Sequence, residues 1–410
     1  MKNVAKIFAV VLTFIFMFSF TACNQEPDNS TSTPPAEIVV TPGPAGEQVV
    51  EKVDGNTKYL QNKVEQAGRV KLEKTSDCPA DFTINVEGEE PLKILQITDT
   101  QMIDHTQVRL GNGAVSDRYA NRDQVMYDIL DYVIDQTQPD LILLTGDYVY
   151  GDYDDNGSCF REQTDYFDSK GVYWAPIYGN HDNDSDSDYA VWLEEGWEEW
   201  YGRKQCQYFE NATHCLFRTR TAISGYSNFS IAIKQNGEFV RTVFMIDTHG
   251  SHHTEQGIRT VQLNWFKETV NAINEYAGKT LPSYVGIHVP IYAFKLAAQQ
   301  YGYTSGTFVV PENDNGDFGH IRQNPASSDN DGNLKAFNTF KENGTDAILA
   351  GHLHKNNSCI TYEGVKLVFG TKSSRYDKYD EDLLGGTLFT GAGADFTVAP
   401  IYYTDSTVAE

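Results

Sequence analysis

Short apolar runs that each stop at a residue able to hold a metal ion restrict this chain's fold more than any other feature. Ile94, Leu95 and Ile97 lead into Asp99-Thr100-Gln101, and Leu141-Ile142-Leu143-Leu144 leads into Gly146-Asp147. Val172 to Ile177 stops at Gly179-Asn180-His181-Asp182, Tyr284 to Ile287 at His288, and Ala347 to Ala350 at Gly351-His352-Leu353-His354. Runs this short and continuous are strands buried on both faces, which requires cover on each side. Open α/β sheets place their chemistry at strand ends of this kind.

Helical spacing fills the gaps. Val125, Ile129 and Val133 recur at one helical period before Pro139, and Leu263, Phe266, Val270 and Ile273 mark a second amphipathic helix. Strands alternating with helices indicate a layered α/β domain. Leu367 to Phe369, Thr387 to Phe389 and Phe396 to Tyr403 read as further strands, so a two-sheet core is expected. Gln299 to Gly332 is polar and rich in Gly and Asp; it reads as an insertion long enough to overhang a site, either a loop that shapes a substrate or a free surface loop.

The start of the chain differs from the rest. Lys2 and Lys6 precede an apolar run from Ile7 to Phe20, followed by Thr21-Ala22-Cys23, so residues 1–23 read as a secretory signal. The small residues before Cys23 resemble a bacterial lipoprotein cleavage site, with Cys23 as the lipidated residue and membrane anchor. Plain secretion and an uncleaved anchor are the alternatives, and all three place the remainder outside the cytoplasm. Residues 24–48 are rich in Pro, Thr, Ser and Glu and read as a flexible linker, whereas 49–90 carries short alternating patches expected to form a small N-terminal β appendage. Residues 91–410 form the main domain. A formal charge of -25, from 57 acidic against 32 basic side chains, argues against groove-type binding of nucleic acid. In an exported protein Cys78, Cys159, Cys206, Cys215 and Cys359 invite a disulfide reading, with Cys206 and Cys215 close enough to staple a loop, although connectivity does not follow from sequence.

Carboxylate, amide oxygen and imidazole at five strand ends form a mixed N/O donor set. Such a set suits a pair of first-row ions such as Zn, Fe or Mn better than Ca. One carboxylate can bridge two of them, and the pair of ions so held can clamp a phosphoryl group and acidify a water.

The ordered blocks resemble the calcineurin-like metallophosphoesterase superfamily, whose pattern is D-x-H, GD, GNH(D/E), a lone His and GHxH. The resemblance runs from about Leu92 to the C-terminus. It implies an α/β fold in α/β/β/α layers, a two-sheet β-sandwich core flanked by helices, and hydrolysis of a small phosphorylated substrate. It implies that Asp147 bridges two metal ions, that Asp99 and His354 hold the first, and that Asn180, His288 and His352 hold the second. His181 is similar to the family's outer-sphere histidine, which stabilises the transition state or protonates the leaving oxygen, with Asp182 orienting it.

Two positions stay open. Gln101 stands where many members have a histidine ligand; its oxygen either coordinates the first metal or makes an outer hydrogen bond. Gly146-Asp147-Tyr148-Val149-Tyr150 and Val285-Gly286-Ile287-His288 also resemble the purple acid phosphatase branch, in which the tyrosine at the position of Tyr150 is a phenolate ligand to ferric iron. Asp99-Thr100-Gln101 does not match that branch's D-x-G, and 24 tyrosines make a chance match easy. His249, His252 and His253 follow another strand end at Asp247 and read as exposed polar residues rather than ligands, while Trp192, Trp197 and Trp200 read as helix-packing residues. Two functions are expected from these residues: an exported metal-dependent phosphoesterase or, with Gln101 weakening the first metal site, a surface-anchored protein that binds a phosphorylated ligand without turnover.

Overall fold

The structure is a computed structural model that describes residues 58–104, 121–154, 157–182, 184, 205–220, 222–250, 255–325 and 333–404. The signal, Cys23, the linker, Trp192, Trp197, Trp200, His252 and His253 lie outside the described residues. Among the described residues no helix is long and apolar enough to cross a membrane.

In chain order the strands are β1 (Val70–Leu72), β2 (Phe82–Val86), β3 (Lys93–Ile97), β4 (Leu141–Thr145), β5 (Trp174–Ile177), β6 (Phe229–Gln235), β7 (Glu238–Met245) and β8 (Ser283–Gly286). They continue with β9 (Phe308–Val310), β10 (Phe318–Ile321), β11 (Thr345–Ala350), β12 (Asn357–Tyr362), β13 (Val365–Phe369), β14 (Gly385–Thr390) and β15 (Thr397–Tyr402). The helices are α1 (Lys58–Gln61), α2 (Arg122–Thr137), α3 (Ser158–Ser169), α4 (Thr260–Ala277), α5 (Ala293–Gln300) and α6 (Lys335–Glu342). The strands form a ten-stranded sheet in the order β1-β2-β6-β7-β8-β11-β13-β12-β10-β9 and a five-stranded sheet in the order β15-β14-β3-β4-β5.

Side-chain alternation explains the layers. Val243 and Met245 of β7, Tyr284 of β8 and Ala347 and Leu349 of β11 share one core with Ile94 of β3, Leu141 and Leu143 of β4, and Phe389 of β14 in the smaller sheet. Phe244, Val285, Ile348 and Ala350 point the other way, into a second core with Phe266 and Val270 of α4 and Phe340 of α6. Met126 and Leu130 of α2 and Phe160 and Phe167 of α3 cover the smaller sheet. Both faces of β4 are therefore buried, which is why its sequence is continuously apolar.

Parallel strands of each sheet aim their C-terminal ends the same way: β3, β4 and β5 in one, β7, β8, β11 and β13 in the other. The sheets are joined at that end, where Ser373 N donates to Thr98 O at 3.0 Å and Gln96 Nε2 to Ala350 O at 3.1 Å. Strand ends far apart in sequence meet there.

Three expectations change. The β segment expected as an appendage within 49–90 extends the large sheet at its edge, because β2 pairs in parallel with β6. The insertion from Gln299 is not a free loop: its β9 and β10 pair with each other and extend the sheet through β12. The cysteine staple is absent, since Cys78, Cys159, Cys206, Cys215 and Cys359 are all free and buried. Cys206 instead lies 3.5 Å from the Tyr178 hydroxyl within the aromatic core.

Candidate metal centre

The strand-end residues converge under unusual backbone conditions. Asp99 (φ 56°), Gln101 (φ 46°), Asp147 (φ 51°) and His352 (φ 71°) all adopt the left-handed region, which costs an L-residue roughly 1–2 kcal/mol. Neighbouring loops hold them there: Asp99 N donates to Gly146 O at 3.1 Å and Gln101 N to Asp147 O at 2.8 Å. Strain that the surroundings enforce is characteristic of functional sites. Two motif glycines are needed for close approach. A Cβ at Gly179 would overlap the Asp147 carboxylate, and one at Gly351 would overlap Thr98 Oγ1 and the Asp99 carboxylate.

Two triads of possible ligands result, Asp147 with His288 and His352, and Asp99 with Asp147 and His354. Within each, one ligand atom per residue lies within 4.8 Å of the others, and Asp147 belongs to both. Asn180 completes the first group, its Oδ1 lying 2.7 Å from His352 Nδ1 and 3.1 Å from His288 Nε2. Asp99, Asp147, Asn180, His288, His352 and His354 are thus brought together as the sequence pattern requires.

The hydrogen bonds fit a cation. His288 Nδ1 lies 2.9 Å from Thr145 O, which can only accept, so Nδ1 carries the proton and Nε2 of the neutral ring carries a lone pair. That lone pair faces Asp147 Oδ1 at 3.2 Å and the Asn180 oxygen. Three acceptors converging without a hydrogen between them repel unless a cation sits among them or the ring takes a second proton. His354 repeats the arrangement, with Nδ1 3.0 Å from Lys378 O and Nε2 3.3 Å from Asp99 Oδ1.

Electrostatics follow from this crowding. Burial pushes the Asp147 carboxyl up, but His288 and His181 outweigh it and hold the group well below the usual range. Asp99 behaves likewise, with His354 overcoming burial to bring it to about 2. Burial opposes the charge on His288, yet Asp147 raises it to about 9. His352 is lowered to about 4 by burial and by His288.

His181 stands beside the triads. Its backbone N–H donates to Asp147 Oδ1 at 2.9 Å, and its ring stacks on Tyr150 with centroids 4.2 Å apart. Nδ1 lies 3.1 Å from Asp184 Oδ2, which leaves Nε2 for proton exchange. Burial lowers the imidazole's pKa, but Asp147 and Asp184 bring it up to about 9.

Asp182 does not orient His181, contrary to expectation. Its carboxylate accepts from Val149 N at 3.0 Å and Gly179 N at 2.5 Å, tying the Asn180 loop to the Asp147 loop. Asp184, three residues beyond His181, supplies the orienting carboxylate. The Tyr150 ring stacks between His181 and Tyr153, and burial followed by Asp377 raises its hydroxyl pKa.

Gln101 is completely buried. Its Nε2 donates to Asp147 Oδ2 at 3.0 Å, and its Oε1 accepts from Lys372 Nζ at 2.9 Å. Lys372 was missed by sequence reading, although Thr371-Lys372-Ser373-Ser374 follows β13 as the other motifs follow their strands. Burial lowers the ammonium's pKa to about 8. His249 is a structural anchor, its ring nitrogens engaging Ser224 Oγ at 2.9 Å and Gly257 O at 3.0 Å.

Comparison with known proteins agrees with this geometry. The model of the calcineurin-like phosphoesterase family matches residues 92–356. The probable inactive purple acid phosphatase 29 of Arabidopsis thaliana is 24% identical over 314 residues, covering 70% of this chain and 72% of that protein. A dimetal phosphatase from Danio rerio superposes with a TM-score of 0.41 at 10% identity, covering 77% of this chain and 100% of that one. A purple acid phosphatase from yellow lupin (Lupinus luteus) seeds superposes with a TM-score of 0.36 at 10% identity, covering 77% of this chain and 53% of that one. The family match spans well over half of the chain and encloses every residue of both triads, so the chain belongs to the calcineurin-like phosphoesterase family, hydrolases of phosphate ester bonds that work with two metal ions.

Proposed function

We propose that the protein is exported, held at the membrane by a lipid on Cys23, and hydrolyses phosphate esters of small molecules there. The observation that carries the catalytic part is the sharing of Asp147 by two triads, with the His181 backbone N–H donating to the same carboxylate and so placing the imidazole beside them. Export rests on the basic, apolar and small-residue order of residues 1–23.

When bound, two ions of the Zn, Fe or Mn type supply Lewis-acid neutralisation of phosphoryl oxygens and a water acidified toward neutral pH. Asp147, Asn180, His288 and His352 would hold one ion, and Asp99, Asp147 and His354 the other. The chain supplies the remaining steps. Thr145 O and Lys378 O fix the tautomers of His288 and His354, keeping their Nε2 lone pairs aimed inward. Asp184 fixes His181 so that Nε2 can give its proton to the leaving oxygen, which keeps an alkoxide from accumulating. Tyr150 packs on the imidazole face and limits its rotation.

The alternative, a binding protein without turnover, draws on Gln101, but the complete donor set around His288 and the oriented His181 weigh against it. The test is hydrolysis of a chromogenic phosphate monoester and diester by metal-loaded protein. Turnover that disappears in His352→Ala and falls in His181→Ala supports the reading; turnover unchanged in His352→Ala refutes it. Globomycin-sensitive processing with lipid labelling at Cys23 tests the anchor, and labelling unaffected by Cys23→Ser refutes that part.

A further inference from the structure

Lys372 makes two hydrogen bonds inside the centre. Its Nζ donates to the Asp99 carbonyl oxygen at 2.8 Å and to Gln101 Oε1 at 2.9 Å. The lysine is 1% exposed and its backbone bridges Thr98 on one side and Leu384 on the other, so the ammonium cannot swing to solvent. Ser374 Oγ donates to the same Asp99 carbonyl at 3.1 Å and closes the cradle.

An ammonium has three donors and no acceptor. Whichever end of the Gln101 amide faces Lys372 must therefore be the oxygen, because the NH₂ group there would set donor against donor in a buried place. The NH₂ end is then forced toward Asp147, where it donates to Oδ2 at 3.0 Å. An amide nitrogen used as a hydrogen-bond donor has no lone pair to offer a cation. The neighbouring fixed positive charge further disfavours an ion in the half-site formed by Asp99, Asp147 and His354.

We propose that Lys372 is a positioning residue that locks the Gln101 amide with its nitrogen toward Asp147, so that Gln101 is not a metal ligand and the Asp99 half-site holds its ion more weakly than the His288 half-site. This rests on the dinuclear reading above. It adds to that reading an unequal pair of affinities and the residue responsible. The resting protein at low metal concentration then carries one ion, held by Asp147, Asn180, His288 and His352, and acquires the second only when the metal concentration rises.

The test is calorimetric titration of Zn²⁺ or Mn²⁺ into metal-free protein, read as two separate dissociation constants. Gln101→Ala in the otherwise native chain should weaken the weaker constant no more than the tighter one, because the hydrogen bond lost is to Asp147, which serves both half-sites, and no ligand is lost. Gln101→Glu should tighten the weaker constant on the order of tenfold or more, since a carboxylate offers an oxygen to Lys372 and another to the ion. In a Lys372→Met background the amide is released, and Gln101→Ala should then weaken the same constant on the order of tenfold. The difference between backgrounds reports the lock, whereas the direct effect of losing the lysine's charge cancels from the cycle. Weakening of that constant alone, on the order of tenfold, by Gln101→Ala with Lys372 present overturns the proposal, as does an equal effect in both backgrounds. If Lys372→Met fails to fold, the Gln101→Ala and Gln101→Glu arms decide alone. Failure of the dinuclear reading looks different: no ion would bind at either half-site in the native chain.

Discussion

His181 Nδ1 and Asp184 Oδ2 are 3.1 Å apart, three residues apart in sequence, while the carboxylate of the intervening Asp182 is turned to the backbone of Gly179 and Val149. One acidic residue aims the imidazole and the other fastens its loop. The two carboxylates therefore act on different properties of the site.

Asp184→Asn removes one of the two charges that raise His181, so its pKa should fall from about 9. His181 donates a proton only while protonated, so activity declines as pH rises through that pKa. The alkaline limb of the kcat profile should accordingly move to lower pH in Asp184→Asn; bound cations lower the limb in both proteins and leave the direction of the difference intact. Asp182→Asn should leave the limb in place and reduce stability by about 1–3 kcal/mol through a weakened loop tie. A pH–rate profile of both variants, with thermal melts, checks this assignment.

Tyr150 provides the second prediction. Its ring lies 4.2 Å from that of His181 at an interplanar angle of 20°. Stacking uses the ring and not the hydroxyl, so Tyr150→Phe should keep activity within about twofold, while Tyr150→Ala should lose about 0.5–1.5 kcal/mol of aromatic packing and part of the activity. Iron-loaded protein should show no tyrosinate charge-transfer band. A visible band abolished by Tyr150→Phe would assign the phenolate to the metal instead.

These two residues show what sequence could and could not supply. The convergence of Asp99, Asp147, Asn180, His288, His352 and His354 was legible because each follows a buried strand, and strand period and apolar continuity are local properties. The layers were legible for the same reason. Asp182 against Asp184 was not, because both sit in one acid loop and only the loop's path decides which carboxylate faces the ring. Gln101 was ambiguous because the deciding partner, Lys372, lies 271 residues away. The edge role of β1 and β2 likewise depends on β6, a strand more than 140 residues downstream. Pairing over such distances leaves no periodic trace in either segment.

The cysteines give a third prediction. Cys78, Cys159, Cys206, Cys215 and Cys359 are free, and burial raises the pKa of every one of their thiols. Buried thiols held in their neutral form react slowly. Dithiothreitol should therefore leave the melting temperature unchanged, and a thiol reagent should label these five only after denaturation. A melting temperature that drops on reduction would show a disulfide.

The central claim is that one carboxylate, Asp147, serves both half-sites, and metal stoichiometry of Asp147→Ala at saturating Zn²⁺ or Mn²⁺ tests it most directly. The native chain should hold two ions, and Asp147→Ala should lose both from the measurable range together with phosphate-ester hydrolysis. Retention of both ions at native affinity in Asp147→Ala would contradict a shared centre.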